Sequence, residues 1–431
     1  MANSAAAWAY EIFELSKNGN VVDITGTDPY GARVTTFNYY ESLLSPNITA
    51  IISFADIGGS AQEKYDRQGK LGTLSSALPL DGDVEFFFRI VERTGFGELD
   101  FTKKPLVFNK KITPGQNSFK EGVILSLVSK YASVNQDTNI YKTFRGNIGN
   151  SVRKILTENL KVPADKIIID PTSNALEFSG ESRDAFQLII EEVANRSIPE
   201  NGNPGYFFYE TQDGFNFRSI DDLIVQDPVA EYFKNDRLRS GVQNDENNFK
   251  ISLKSDIKAG DIITGKKCGV YATKRISFDP KTQKYDEEIY TLSNDKLIKS
   301  LGKNIEIPDV DFSTYTRTLY STIDLGSYSA NVKSEVNNDP KRWQAQSISR
   351  YNMLFNQIVQ IQVPCNTNLR AGDTIICRFE TITQDKKDPT GGNPDKYLIL
   401  NLCHYFGSSR SFTSMTILRD SYGSYTNKNK R

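Results

Sequence analysis

Between Val34 and Val91 apolar and polar positions alternate in short runs. The strands this predicts are ARVTTFNYYESLL, ITAIISFADI and DVEFFFRIVE. In the last of them Val84, Phe86, Phe88 and Ile90 share one face, the period of two that marks a half-buried strand. Between the second and third lies the polar, glycine-rich stretch Gly58 to Ala77, whose few apolar residues include Leu71 and Leu74. It cannot bury enough surface to order itself well, so it is either a long projecting hairpin or a mobile loop.

After EGVILSLVSKYA the period changes to that of a helix. Ile148, Val152, Ile155, Leu156 and Leu160 fall at helical spacing behind the cap residue Asn147, and Phe186, Ile189, Ile190 and Val193 do so behind Ser182. Between and after them come short strands, KIIID and then GYFFYETQDGFNFRSI. The second reads as a hairpin whose Asp213-Gly214 pair supplies the positive dihedrals of a tight turn. The polar segment Ser240 to Asn248 is a plausible boundary.

Beyond it, GVYATKRISFDP and YDEEIYTLS read as a strand pair joined at Asp279-Pro280, and the stretch from Lys296 to Asn338 as an irregular insertion. Pro340 starts a helix that Trp343, Ile348, Tyr351 and Leu354 continue. Strands then return. Phe355, Val359, Ile361 and Val363 oppose Gln360 and Gln362; Ile375, Cys377 and Phe379 alternate with Arg378 and Glu380; Leu398, Leu400 and Leu402 share a face. The fold class is α+β, predominantly antiparallel β.

Composition sharpens this. At 431 residues the chain exceeds one comfortable core and predicts several domains. Its 21 tyrosines and 25 phenylalanines against 3 methionines favour sheet over helical bundle. Its 52 basic and 53 acidic residues leave a net charge of -1, so no overall field attracts nucleic acid or anionic lipid. No run approaches the roughly 18 apolar residues of a membrane span, and Glu11 and Glu14 interrupt any leader-like core, so assembly in a cytoplasm without stable membrane association is expected. Cys268, Cys365, Cys377 and Cys403 are too scattered for a disulfide framework and read as buried free thiols.

Candidate chemistry is thin. Gly260 to Lys267, GDIITGKK, has the spacing of a phosphate loop, but Lys267 stands where Ser or Thr should hold magnesium, and the run leads into a strand; it reads as a surface turn. His404 is the only histidine, so a zinc site or a Ser-His-Asp triad would rest on it alone; a packed histidine on a strand face is the simpler reading. Glu191-Glu192, Asp221-Asp222 and Glu287-Glu288 are sequence neighbours rather than a pair across a cleft, and read as solvated faces. Lys386-Lys387 and the basic tail read as solubilising. No catalytic, metal or cofactor residue is assigned, and no enzyme activity is expected.

The order NLRAGDTIICRF, KYLILNLCHYF and SFTSMTILRDSYG resembles the closing strands of the baseplate central hub proteins of T-even-type contractile-tailed bacteriophages, with Gly372-Asp373 as the turn that starts a strand and Arg419-Asp420 at the closing position. TTFNYYESLLSPNITAIISFADI, the stretch from Leu125 to Leu160, EFSGESRDAFQLIIEEVANRS with its hairpin, and GVYATKRISFDPKTQKYDE are similar to earlier elements of that family, so the resemblance spans most of the chain as a succession of elements. Residues 296–338 and 384–396 show no correspondence.

The resemblance implies two tube-like β-barrel domains, residues 1–131 and the split 244–293 with 343–431; the residue pattern itself marks a small α+β domain at 132–243 and an insertion at 294–342. The resemblance also implies a structural homotrimer with pseudo-six-fold symmetry that joins the tail tube protein to the central spike protein, near tape-measure and baseplate wedge proteins, in the baseplate of a virion. Phage DNA would pass through its channel without specific binding. Gly372 and Asp373 would be a scaffold turn, and the candidate assembly loop holds Gly58, Gly59, Leu71 and Leu74, loose in the isolated chain and ordered in the tail. A tail-tip cell-wall hydrolase and a receptor- or carbohydrate-binding tail protein are the alternatives.

Overall fold

The strand Pro394–Gly407 bonds on one edge to Ser411–Arg419 and on the other to Arg33–Ser42, and so ties the two ends of the chain together. The computed structural model describes residues 8–25, 33–56, 78–80, 82–92, 97–117, 120–234, 249–302, 314–326, 336–379 and 394–421. The candidate assembly loop with Gly58, Gly59, Leu71 and Leu74, the boundary 240–248 and the run Lys386-Lys387 lie outside the described residues.

Among the described residues the main sheet has 14 strands. Its path runs through Leu253–Ala259, Gln357–Pro364, Ser411–Arg419, Pro394–Gly407, Arg33–Ser42, Thr49–Asp56, Lys120–Ser129, Leu106–Asn117, Glu85–Glu92, Trp8–Lys17 and Asn20–Asp23. Glu98–Asp100 pairs with Glu85–Glu92, and Thr374–Arg378 pairs with Pro394–Gly407 and, in parallel, with Ala230–Phe233. The chain is therefore mostly antiparallel β with a few helices. Most strands expected in two separate barrels form one continuous sheet, whose end strands do not join among the described residues, while Ala272–Asp279 and Lys284–Thr291 leave it for a sheet of their own. The cause is the seam: Pro394–Gly407 has 14 residues, enough to pair with Thr374–Arg378 near its start and with Arg33–Ser42 near its end.

Each half of the sheet covers its own core. On the N-terminal half the alternation holds: Val84, Phe86, Phe88 and Ile90 are fully buried. Phe13 packs edge-on against Phe37 and Phe86 at 5.3 and 5.2 Å between ring centres. Each such side chain stabilises the fold by about 1.5–3 kcal/mol through burial. The C-terminal half encloses Val359, Ile361, Val363, Ile375, Cys377, Ile399 and Leu402. Leu398, Leu400 and Leu402 do not share a face, because a register shift between Ile399 and Asn401 sends Leu398 and Leu400 to a second core. That second core receives Phe207, Tyr209, Ile220 and Leu223 from the middle of the chain, which explains why both faces of this strand are apolar.

The middle region holds the two expected helices, each with a wide-turn segment. Ile148–Lys154 is capped by the Asn147 side chain and continues as a π-helix over Ile155–Asn159. Ala185–Gln187 is capped by Asp184 rather than Ser182, and continues as a π-helix over Leu188–Ala194. Because that segment bonds i to i+5, the 3.6 spacing fails, and Ile190 is exposed while Leu188, Ile189 and Val193 are buried. The hairpin Tyr206–Thr211 and Gly214–Ser219 turns through Gln212 and Asp213. Of the expected Asp213-Gly214 pair only Gly214 has a positive φ, of 140°. A Cβ there would strike the Lys166 carbonyl beside the parallel strand Ile167–Ile169.

Ala272–Asp279 and Lys284–Thr291 pair as expected, but in a separate three-stranded sheet with Arg317–Thr322. That last strand lies in the stretch expected to be irregular; the alternation of Thr318, Tyr320 and Thr322 with Leu319 and Ser321 is its signal in the sequence. Gly260 to Lys267 is not a plain turn: Ile262–Lys267 is a short helix. Its first turn is capped by Asp261, whose carboxylate accepts the Thr264 N–H at 2.9 Å, in the place a phosphate would take. The helix Gln344–Leu354 follows a 3-10 turn at Pro340–Arg342, as the proline predicts.

Candidate functional site

The turn at Gly372-Asp373 sits where three parts of the chain meet. Asp373 donates its N–H to the Arg370 carbonyl at 3.2 Å, and Gly372 has φ of 90°, the conformation a type II turn requires at its third residue. The turn is pinned to the seam strand by Gly372 N–H to Ile399 O at 2.9 Å and Ile399 N–H to Asp373 O at 2.8 Å. A Cβ at Gly372 would collide with the Tyr209 hydroxyl of the middle hairpin. Gln226, from the same region, donates to the Gly372 carbonyl.

Beneath the turn lies the buried carboxylate of Glu41. It accepts the Tyr39 hydroxyl at 2.7 Å, the Gln212 N–H at 2.8 Å and the Ala371 N–H at 3.0 Å. One side chain thus ties the first strands, the middle hairpin and the closing turn together. Burial pushes its pKa up to about 7 against the opposing pull of Arg370 and the backbone donors. Arg370 itself reaches Asp213 at 2.8 Å. Glu210, also buried, accepts Ile48 N–H at 3.2 Å and Ser129 Oγ at 2.9 Å, and burial again raises it to about 7. Asp373 is raised to about 6 by the same cause.

A second joint is built on the fully buried Arg350. Its Nε donates to Asp221 Oδ1 at 2.7 Å, one Nη to Asp420 Oδ2 at 3.1 Å and the other to the Lys299 carbonyl at 2.7 Å. The remaining oxygens are also used: Asp221 accepts Asn203 N–H at 2.7 Å, and Asp420 accepts Leu301 N–H at 2.9 Å. Asp221, expected on a solvated face, is buried here because Arg350 compensates its charge. Glu192 is likewise engaged, by Arg183 at 3.1 Å and by Arg196, whereas Glu287 and Glu288 stay largely exposed.

His404 is buried on the seam strand, stacked on Tyr39 at 5.9 Å and 9°, with Nδ1 2.9 Å from Thr413 Oγ1. Of the four free cysteines Cys365 and Cys377 are buried, and Cys268 and Cys403 are half-buried. Burial lifts the Cys403 thiol to about 11 and Cys365 and Cys377 higher, so they stand as thiols rather than nucleophilic thiolates. Among the described residues no group of three or more His, Cys, Asp or Glu is placed to hold a metal ion, and no helix is long and apolar enough to cross a membrane.

The polar joints were missed in the sequence, although Glu41 carried a signal: it continues the inward face of Phe37 and Tyr39, so it puts a charge at a core position. Arg350, Asp221 and Asp420 come together from three distant segments and left no such mark.

No protein-family model and no curated protein matches the sequence. In fold, however, the chain is similar to tail proteins. The tail protein from Neisseria meningitidis MC58 superposes over 96% of this chain and 97% of its own, with TM-score 0.54 and 9% identity. The 43 kDa tail protein of prophage MuSo2 from Shewanella oneidensis does so over 95% and 98%, with TM-score 0.52 and 9% identity. The prophage tail protein gp18 from Listeria monocytogenes EGD-e matches over 94% of each chain, with TM-score 0.45 and 10% identity. The resemblance to tail proteins seen in the sequence thus holds for the fold.

Proposed function

We propose that this chain is a structural subunit of a phage tail, the hub of its baseplate, and that three copies form a ring joining the tail tube to the central spike around the DNA channel. The observation that carries the reading is the end-to-end fold likeness to two tail proteins, over 95–96% of this chain and 97–98% of theirs. The two halves of the sheet, each with its own core, would act as the two tube-like units of a subunit, so that three chains present six to a six-fold tube. Balanced charge suits a channel wall along which DNA slides. Tape-measure and wedge proteins are further partners on this reading, and the protein resides in the virion after assembly in the host cytoplasm. A catalytic role finds no support in Glu41, Glu210, Asp221 or Asp420, whose oxygens are taken up by protein donors. Mass measurement and imaging of the purified protein, alone and with its spike, test the proposal: a three-copy ring with an open channel is expected. A persistent monomer in the presence of tube and spike, or a six-copy ring, overturns it.

One observation favours the receptor- or carbohydrate-binding alternative. Tyr285 and Tyr320 are 72% and 75% exposed on the same face of the three-stranded sheet, flanking Ile276 and Phe278. Binding to a host glycan that is lost in Tyr285→Ala and Tyr320→Ala would favour that reading; a glycan screen without binding would remove it.

A further inference from the structure

Between the first strands and the middle region a pocket of about 350 Å³ opens to solvent. Its size lies at the small end of the range for ligand sites, about 300–1,000 Å³. Phe101, Leu106 and Tyr131 supply apolar lining, and Lys103, Lys104 and Lys161 surround them. The charges of this rim are unevenly satisfied. Lys130, also at the pocket, is bound to Glu85 at 3.0 Å, and Lys161 donates to the Glu158 carbonyl at 2.7 Å. Among the described residues neither Lys103 nor Lys104 has a carboxylate within ion-pair distance, and Glu210 in the pocket wall is occupied by Ile48 N–H and Ser129 Oγ. Lys104 is only partly open to water, and its burial lowers its pKa against the opposing pull of Glu210, Asp165 and Asp213, none of which is close enough to form an ion pair with it.

We infer that this pocket is a binding site for the C-terminal carboxylate of a partner segment that ends in an apolar residue, the carboxylate meeting Lys104 and the apolar side chain resting on Phe101, Leu106 and Tyr131. Charge complementarity selects an anion, since the lining holds Lys103, Lys104, Lys130 and Lys161 against the single acid Glu210, whose carboxyl burial raises to about 7. The apolar lining selects a ligand with a hydrophobic body, which a nucleic-acid backbone does not present to a concave site. A carboxylate is the anion that a peptide segment carries at its end, and an ammonium hydrogen bond to it is among the stronger kinds. The inference concerns this pocket alone and is independent of the tail reading.

The test uses the whole protein and the dipeptide acetyl-Leu-Phe, as free acid and as C-terminal amide, by titration calorimetry. The acid should bind about tenfold or more tightly than the amide, the worth of one charge-assisted hydrogen bond. Lys104→Gln should abolish the difference while thermal melting shows the variant folded, and Lys104→Arg should retain part of it. Equal binding of acid and amide, binding by neither, or a preference unchanged in folded Lys104→Gln overturns the proposal. So does a duplex oligonucleotide that binds in a Lys104-dependent way while the dipeptide acid does not.

Discussion

The Glu41 carboxylate accepts the backbone N–H of Ala371 at 3.0 Å across 330 residues of sequence. Burial raises its folded pKa to about 7, above the ordinary carboxyl value of about 4.3. The folded chain therefore keeps a proton that the unfolded chain has released between those values. Its contribution to stability is fully present below the unfolded pKa and is lost as pH rises through about 7, falling by about 1.4 kcal/mol for each pH unit between the two values. Glu210 acts in the same direction. His404, pushed down to about 3 by burial, acts in the opposite one, and its effect lies below its unfolded value of about 6.5. The window from about pH 6.5 to 8 is thus left to the carboxyls. The melting temperature should be higher at the lower end of that window, and Glu41→Gln should flatten the slope. An unchanged slope in the variant would show that Glu41 does not hold this proton.

Gly372→Ala should destabilise the protein by about 1–3 kcal/mol, because it places a Cβ at a φ of 90° and drives it into Tyr209 Oη. Combining it with Tyr209→Phe removes the worst contact, that with the hydroxyl, and leaves the tight approach of the ring carbon together with the backbone strain. Denaturant unfolding of the four proteins of this cycle should therefore give less than additive losses; strict additivity would mean that the hydroxyl is not what the turn presses against.

What the letters revealed and what they hid differ in range. Val84, Phe86, Phe88 and Ile90, or Asn147 ahead of Ile148, report on their own neighbours, and strand or helix follows from local spacing. The π-segment that exposes Ile190 and the bulge that parts Leu398 from Leu402 each change a period by one residue, and nothing local announces them. The single sheet followed from a pairing of His404 with Tyr39 and Leu402 with Glu41, which no window of sequence contains. The turn at Gly372-Asp373 was visible because glycine-aspartate after a polar run is a local signal. Its partner Glu41 was visible only as a charge on an otherwise apolar face.

Arg350→Met should cost about 3–5 kcal/mol, since it leaves the Asp221 and Asp420 carboxylates buried without their cation. The triple change Arg350→Met, Asp221→Asn, Asp420→Asn removes the charges together and should recover a large part of the loss. Chemical denaturation measures both. If the triple variant is less stable than the single one, the cluster's hydrogen bonds to Asn203, Leu301 and Lys299 outweigh the cost of burying its charges.

The imidazole of His404 gives the last test, and because the chain has 1 histidine its signals need no assignment. Stacked on Tyr39, bonded to Thr413 and pushed down to about 3 by burial with help from Arg370, it should stay neutral in the folded protein. Its carbon-bound proton shifts should therefore hold constant from about pH 8 down to 5, a range in which an exposed imidazole passes through its midpoint. A structural histidine held this way tolerates an amide that keeps one polar contact to Thr413, so His404→Gln should yield a folded chain that assembles. If the resonances titrate near about pH 6.5, the ring is not held as described. On the proposed tail reading, a loss of infectivity in correctly assembled His404→Gln particles, verified by imaging, would mean that His404 does more than fill the seam and that a purely structural role for this residue is wrong.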